Sequence, residues 1–212
     1  HAVEGRSAEA VSPFLNKLRK RAKNLKAVAV DMSHSYVKAL KENLAHVDIV
    51  FDRYHISALM NRGIDELRKE TQAKLDQKGQ RYFKGARFLF LRNYSNLTDQ
   101  NKKRLQGLLD ANENLSYMYK MKEFLGYFWM FSSPKPAKEF LYSWCIDALC
   151  SGTMPFIRVG MTLNKHKDNI LNYFKHRITN AVVEGTNNKL KTLKRQVYGF
   201  RDMEYFKLRL YH

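Results

Sequence analysis

Two carboxylates frame the chemistry that this sequence could perform. Asp31 ends the short apolar run Ala27, Val28, Ala29, Val30, and Glu184 lies in the densest polar run of the chain, from Thr179 to Lys191. On a helix, Asn180, Glu184, Asn187, Asn188 and Lys191 fall at i−4, i, i+3, i+4 and i+7 and share one face. Val183, Leu190, Leu193 and Val197 form an apolar stripe beside it. A carboxylate among amides and cations, next to a buried stripe, suits a divalent-cation ligand flanked by donors to phosphate; the same pattern also describes a solvent-facing helix flank. Phosphoryl transfer on nucleic acid by two metal ions needs carboxylates that converge from separate elements. A strand-end Asp and a helical Glu meet that need, although spacing alone does not bring them together.

The charge balance points the same way. The 212 residues hold 38 Lys+Arg against 20 Asp+Glu, a net charge of +18, which favours a polyanionic partner. Residues 158–201 carry ten of these cations, Arg158, Lys165, Lys167, Lys175, Arg177, Lys189, Lys191, Lys194, Arg195 and Arg201, against only Asp168 and Glu184. A solvated basic face is the simpler account of charge alone. No RRM-type aromatic signature or GXXG loop points to RNA. No apolar run approaches the roughly 18 residues of a membrane span, and the opening HAVEGRSAEA lacks the layout of a signal peptide. A cytoplasmic protein without a membrane partner is expected. The chain does not start with Met, and is expected to begin inside a longer reading frame. Cys145 and Cys150, five apart in a helical stretch, diverge too far for an easy disulfide and are expected as buried free thiols.

Several elements must position these residues. Helical spacing of Val11, Phe14, Leu15 and Leu18 predicts a helix over 7–23, with Ser7 as N-cap and Pro13 as a kink. Residues 27–30 and 47–51 read as buried strands ending at Asp31 and Asp52, with a helix between them marked by Tyr36, Val37, Leu40 and Leu44. A right-handed crossover makes such strands parallel, and chemistry in open α/β sheets collects at their carboxyl ends. Helical periodicity then dominates 57–77, 98–111, 113–131 and 136–150, broken at Gly79, Gly85, Asn112 and Pro134/Pro136, and returns over 156–177, 179–197 and 201–211. Tyr82, Tyr94, Tyr117, Tyr119, Trp129 and Trp144 in the helical region could stack on bases, but such aromatics are more often core.

Three strings carry a resemblance: VAVDMSHSY (28–36), DIVFDRYH (48–55) and KHRITNAVVEGTNNKLKTLKRQVYGFRDMEYFKLRL (175–210). They resemble the bacterial insertion-sequence transposases of the ISL-three family, the last string most specifically. The likeness extends more weakly over nearly the whole chain. It implies an α/β, ribonuclease H-like core interrupted by a large all-helical insertion, which cuts and joins transposon DNA with Mg2+ or Mn2+. The family's second Asp falls on Asp31, at the end of the fourth core strand, and its Glu on Glu184. Asp52 and His55 match a D-x-x-H pattern, with a supporting or DNA-positioning role; His55 could equally cap a helix or bond a backbone carbonyl. Asn180, Asn187 and Asn188 would support the Glu. Arg53, Lys175, Arg177, Lys189, Lys191, Lys194, Arg195 and Arg201 would contact DNA.

The same resemblance divides the chain into a partial core at 1–56, a helical insertion at 57–152 and completing helices at 153–212. It places the family's first Asp on a strand to which no residue here corresponds, and leaves the sheet an exposed edge. The expectation is a nucleoid-associated bacterial transposase, working on transposon ends and target DNA in an assembly of several copies, whose 212-residue portion alone does not cleave. The alternative is a non-catalytic, basic DNA-binding remnant.

Overall fold

The computed structural model describes residues 8–21, 23–179, 185, 188, 191 and 192. The chain divides into two compact units, one formed by His1–Asp52 with His176–His212 and the other by Arg53–Lys175.

In the first unit, α1 (Ala8–Arg21) runs into β1 (Ala27–Val30), α2 (His34–Asn43) and β2 (Asp48–Phe51). Pro13 lies inside α1, and Arg19, Lys20 and Arg21 fill its last turn, where cations complement the helix dipole. The strands pair in parallel with Ala27 opposite Asp48 and Val30 opposite Phe51, as the strand-helix-strand pattern requires. Leu15 of α1 and Ala39 and Leu40 of α2 are buried, and so are Ile49, Val50 and Phe51 of β2. β1 departs from expectation. Its four residues are only half-buried, because β2 covers one of its edges and the described residues include no strand on the other.

The second unit is helical throughout, with α3 (Arg53–Ala73), α4 (Gln77–Phe83), α5 (Arg87–Leu91), α6 (Asp99–Asp110), α7 (Glu113–Tyr127), α8 (Pro134–Leu149), α9 (Met154–Lys165) and α10 (Lys167–His176). Side-chain caps set several boundaries: Asp76 accepts from the Gly79 N–H, Thr98 from that of Asn101 and Asn112 from that of Leu115. Gly79, expected as a breaker, therefore sits inside α4. Gly85 does break the chain, with φ +75° between α4 and α5. The helix expected over 156–177 is two, parted at His166, whose φ of −108° and ψ of 13° leave the helical region although its N–H still bonds to the Thr162 and Leu163 carbonyls. Asp168 then favours a new helix start.

α9 packs on α3 and α8. Hence α9 and most of α10 group with the helices of the second unit, Arg53–Lys175. Gly63 and Gly160 permit this packing: a Cβ at Gly63 would lie 2.8 Å from Met118 Cε and from Val159 Cγ2, and one at Gly160 would lie 2.8 Å from the Ala148 Cβ. Trp144 and Tyr119 are core, whereas Tyr82, Tyr94 and Tyr117 are exposed. Cys145 is buried but Cys150, one position beyond the end of α8, is exposed; both thiols are free. Among the described residues no helix is long and apolar enough to cross a membrane.

Candidate metal and DNA site

Asp31 and Asp52 each follow the last residue of a strand, and those last residues, Val30 and Phe51, are register partners. The Asp52 N–H donates to the Val30 carbonyl at 3.4 Å, which extends the ladder by one rung. Adjacent strands lie about 4.8 Å apart, so the two aspartates are neighbours along the carboxyl edge of the sheet. Asp52 is buried and Asp31 half-buried. Behind Asp31 the chain turns at once: the Ser33 N–H bonds the Asp31 carbonyl at 2.7 Å, and α2 starts at His34 without a side-chain cap from Ser33. The turn ends the strand at Val30 and takes the chain into α2.

Two hard oxygen donors at one strand edge suit Mg2+ or Mn2+ in chemistry, and neither ion is satisfied by two carboxylates alone. No group of three His, Cys, Asp or Glu that could hold a metal occurs among the described residues. Glu184, expected with Asp31 as a metal ligand, lies outside the described residues, as do Asn180, Asn187, Lys189, Lys194, Arg195 and Arg201. Within that run Gly185, Asn188, Lys191 and Thr192 are described, and all four are helical and exposed. The Thr192 hydroxyl donates to the Asn188 carbonyl at 3.0 Å, an i to i−4 bond of the helix that the spacing predicts. Asn188 and Lys191 therefore lie three apart on one helical face.

The remaining predicted residues scatter by role. Arg53 and His55 open α3, where the His55 ring meets that of Tyr54 edge to face at 5.6 Å. Arg53, Lys175 and Arg177 are exposed. Arg177 directly follows α10 and has φ +54°, the left-handed geometry that ends many helices.

Two features escape the sequence. The first is a pair between His176 and Asp48, Nε2 to Oδ2 at 2.7 Å. Asp48 begins β2 while Asp52 follows its end, so this pair marks the opposite end of the strand from the carboxylates and fastens the last residue of α10. No sequence signal links positions 128 apart. The second is Lys122, buried on the inner stripe of α7 between Met118 and Leu125. Its ammonium donates to the Phe90 carbonyl at 3.1 Å and the Arg92 carbonyl at 2.6 Å, and pairs with Glu123 at 3.0 Å. Burial lowers its pKa, against the pull of Glu123. Its apolar-stripe spacing, i+4 from Met118 and i−3 from Leu125, was the signal.

A basic chain with aspartates after the ends of two parallel strands has the chemistry of a class suited to handling phosphodiesters. The family model described as "Transposase", of the DDE type and the ISL-three group, matches residues 1–210, and the chain belongs to that family. It is 34% identical over 210 residues to the transposase for insertion sequence element IS1001 of Bordetella parapertussis, covering 97% of this chain and 52% of that protein. It is 26% identical over 121 residues to the transposase for insertion sequence element IS1557 of Mycobacterium tuberculosis, covering 57% of this chain and 27% of that protein. The chain thus spans about half the length of the first of these relatives and less of the second. No solved structure matches it.

Proposed function

We propose that the chain supplies two catalytic carboxylates, Asp31 and Glu184, to a DDE transposase that cleaves and joins insertion-sequence DNA on a ribonuclease H-like core. The observation that carries this reading is the position of Asp31 at the carboxyl end of a parallel strand, one rung from Asp52. The strand-helix-strand unit and the family membership support it. Mg2+ or Mn2+, when bound, would polarise the scissile phosphate and lower the pKa of the attacking water or hydroxyl. Asp31 and Glu184 would hold the ion, and Asp52 would orient Asp31 from the neighbouring strand end. Arg53, Lys175, Arg177 and Lys191 lie exposed and would neutralise phosphates along the duplex; each such contact steepens the salt dependence of binding by nearly one unit of log K per log of salt. Several copies would assemble on transposon ends and target in the bacterial nucleoid.

The test separates binding from chemistry. The 212-residue chain should bind duplex DNA with a steep salt dependence and leave it uncut, since it contributes two carboxylates to a site that needs three. A longer polypeptide supplying the third should nick transposon-end DNA with Mg2+ or Mn2+, and Asp31→Ala or Glu184→Ala should abolish nicking. Robust cleavage by the Glu184→Ala protein would overturn the assignment.

A further inference from the structure

The helical unit holds a cavity of about 350 Å3 that has no part in the carboxylate site. That volume lies at the lower end of the roughly 300–1,000 Å3 of small-molecule pockets, the scale of a single base or nucleoside. Its wall combines three chemistries. Arg53 stands at the start of α3, adjacent in the chain to Asp52, and brings a planar cation to one side. Asn61 and Asn93 offer amides, each able both to donate and to accept. Trp129 and Met130 offer flat and polarisable apolar surface. Trp129 is itself braced, stacked at 14° on Phe174 with centroids 6.3 Å apart and set edge-on to Tyr173. No carboxylate lines the cavity among the described residues, and Lys122, which does line it, has its ammonium committed to the Phe90 and Arg92 carbonyls and to Glu123. Gly126 also lines it, and a Cβ there would meet nothing within 4 Å.

A purely apolar cavity would suit a side chain, and a purely cationic one a phosphate. Amides beside an indole, with an arginine at the rim, match a nucleobase whose edge is hydrogen-bonded and whose face is stacked. We propose that this cavity receives one unpaired base of the bound DNA, with Trp129 as stacking surface, Asn61 and Asn93 at the base edge and Arg53 on the adjoining phosphate. The inference rests on the DNA-binding reading above and deepens it, because a duplex from which a base has left the stack would be held beside the residue that follows Asp52.

The full chain is titrated with a labelled duplex, with the same duplex carrying one single-base bulge, and with a mononucleotide. The bulged duplex should bind about tenfold tighter than the paired one, and the mononucleotide far more weakly than either. Asn93→Ala, at an exposed position, and Gly126→Leu, whose Cβ would meet nothing within 4 Å and which raises helix propensity, should each erase that preference while leaving paired-duplex affinity unchanged. A 5-iodouracil at the bulge should crosslink to Trp129 or Met130, mapped by peptide mass spectrometry, with no variant required. Equal affinity for bulged and paired DNA, a preference that survives both variants, crosslinks confined to other residues, or a mononucleotide bound as tightly as DNA would each overturn the cavity's role and leave the DNA reading standing. Failure to bind any of the DNAs would overturn both.

Discussion

The Asp52 N–H donates to the Val30 carbonyl, the last rung of a two-strand parallel ladder, so the residue after β2 is tied to the residue before Asp31. The pairing makes the two aspartates unequal partners. Asp31 is half-buried and sits at a turn, whereas Asp52 is buried and heads the long helix α3. In a chain that supplies all three carboxylates, Asp31→Asn should eliminate nicking. Asp52→Asn, which keeps the shape but loses the charge, should lower it by about 10–100-fold, as expected of a residue that orients a ligand. Gel assays of end nicking at saturating Mg2+ measure both, and equal losses would merge the two roles.

The packing of α9 gives a stability prediction with a sign that depends on its neighbours. Gly→Ala in a helix gains up to about 1 kcal/mol of propensity. At Gly63 the new methyl meets the tips of the Met118 and Val159 side chains, which can yield in part, so Gly63→Ala should be nearly neutral. At Gly160 it meets the Ala148 Cβ at 2.8 Å and the Cys145 carbonyl at 3.4 Å, neither of which can rotate away. Gly160→Ala should cost about 1–3 kcal/mol by urea unfolding.

Much of the first unit was legible in the sequence because its signals are local. The runs 27–30 and 47–51 are largely apolar, bounded and separated by a helix with a clear stripe, and strand-helix-strand handedness dictates parallel pairing. The exposure of β1 was not legible, since burial depends on what lies across a strand and not on the strand's own residues. In the helical unit the main helices follow the 3.6 period. The short helices α4 and α5 are too brief to show it, and the break at His166 is a change of its backbone angles, φ −108° and ψ 13°, within an unbroken polar run. For the candidate site, strand-end position singled out Asp31 and Asp52, and the parallel register sets the residues before them, Val30 and Phe51, opposite one another. The His176–Asp48 pair and the cavity around Asn61 and Trp129 required tertiary packing, and no periodicity encodes either.

Asp65 predicts an acid-sensitive step in the helical unit. It is buried and pairs with Arg68 at 2.8 Å, Lys69 at 3.2 Å and Arg87 at 3.3 Å. Burial pushes its carboxyl up, but the hydrogen bonds from Arg68 and Lys69 outweigh it and hold the group below the ordinary carboxylate range. A folded-state pKa below the unfolded one means stability that is fully present above the unfolded value of about 3.9 and lost as pH falls through the folded one. Unfolding free energy followed below about pH 4 should fall more steeply for the parent than for Asp65→Asn. Parallel curves would remove Asp65 from this role.

The two cysteines should differ sharply in reactivity. Burial pushes the Cys145 thiol up to about 11, against a smaller lowering by Lys167, while Cys150 is exposed. The thiolate is the reactive form, so at pH 8 iodoacetamide should modify Cys150 first and reach Cys145 only on unfolding. Intact-mass kinetics in the presence and absence of urea would show one rapid addition in the native chain and two in the unfolded one; two rapid additions in the native chain would contradict the packing of α8.

Whether Asp31 and Glu184 share a metal site is tested most directly by placing a reactive metal there. Fe2+ loaded on the full chain with ascorbate and peroxide generates hydroxyl radicals that cut the polypeptide beside the ion, and mass spectrometry maps the cuts. The account predicts scission at two places, near Asp31 and near Glu184, that excess Mg2+ suppresses and that Asp31→Asn removes at both. Cuts near one residue without the other, or cuts indifferent to Mg2+ and to Asp31→Asn, would contradict it.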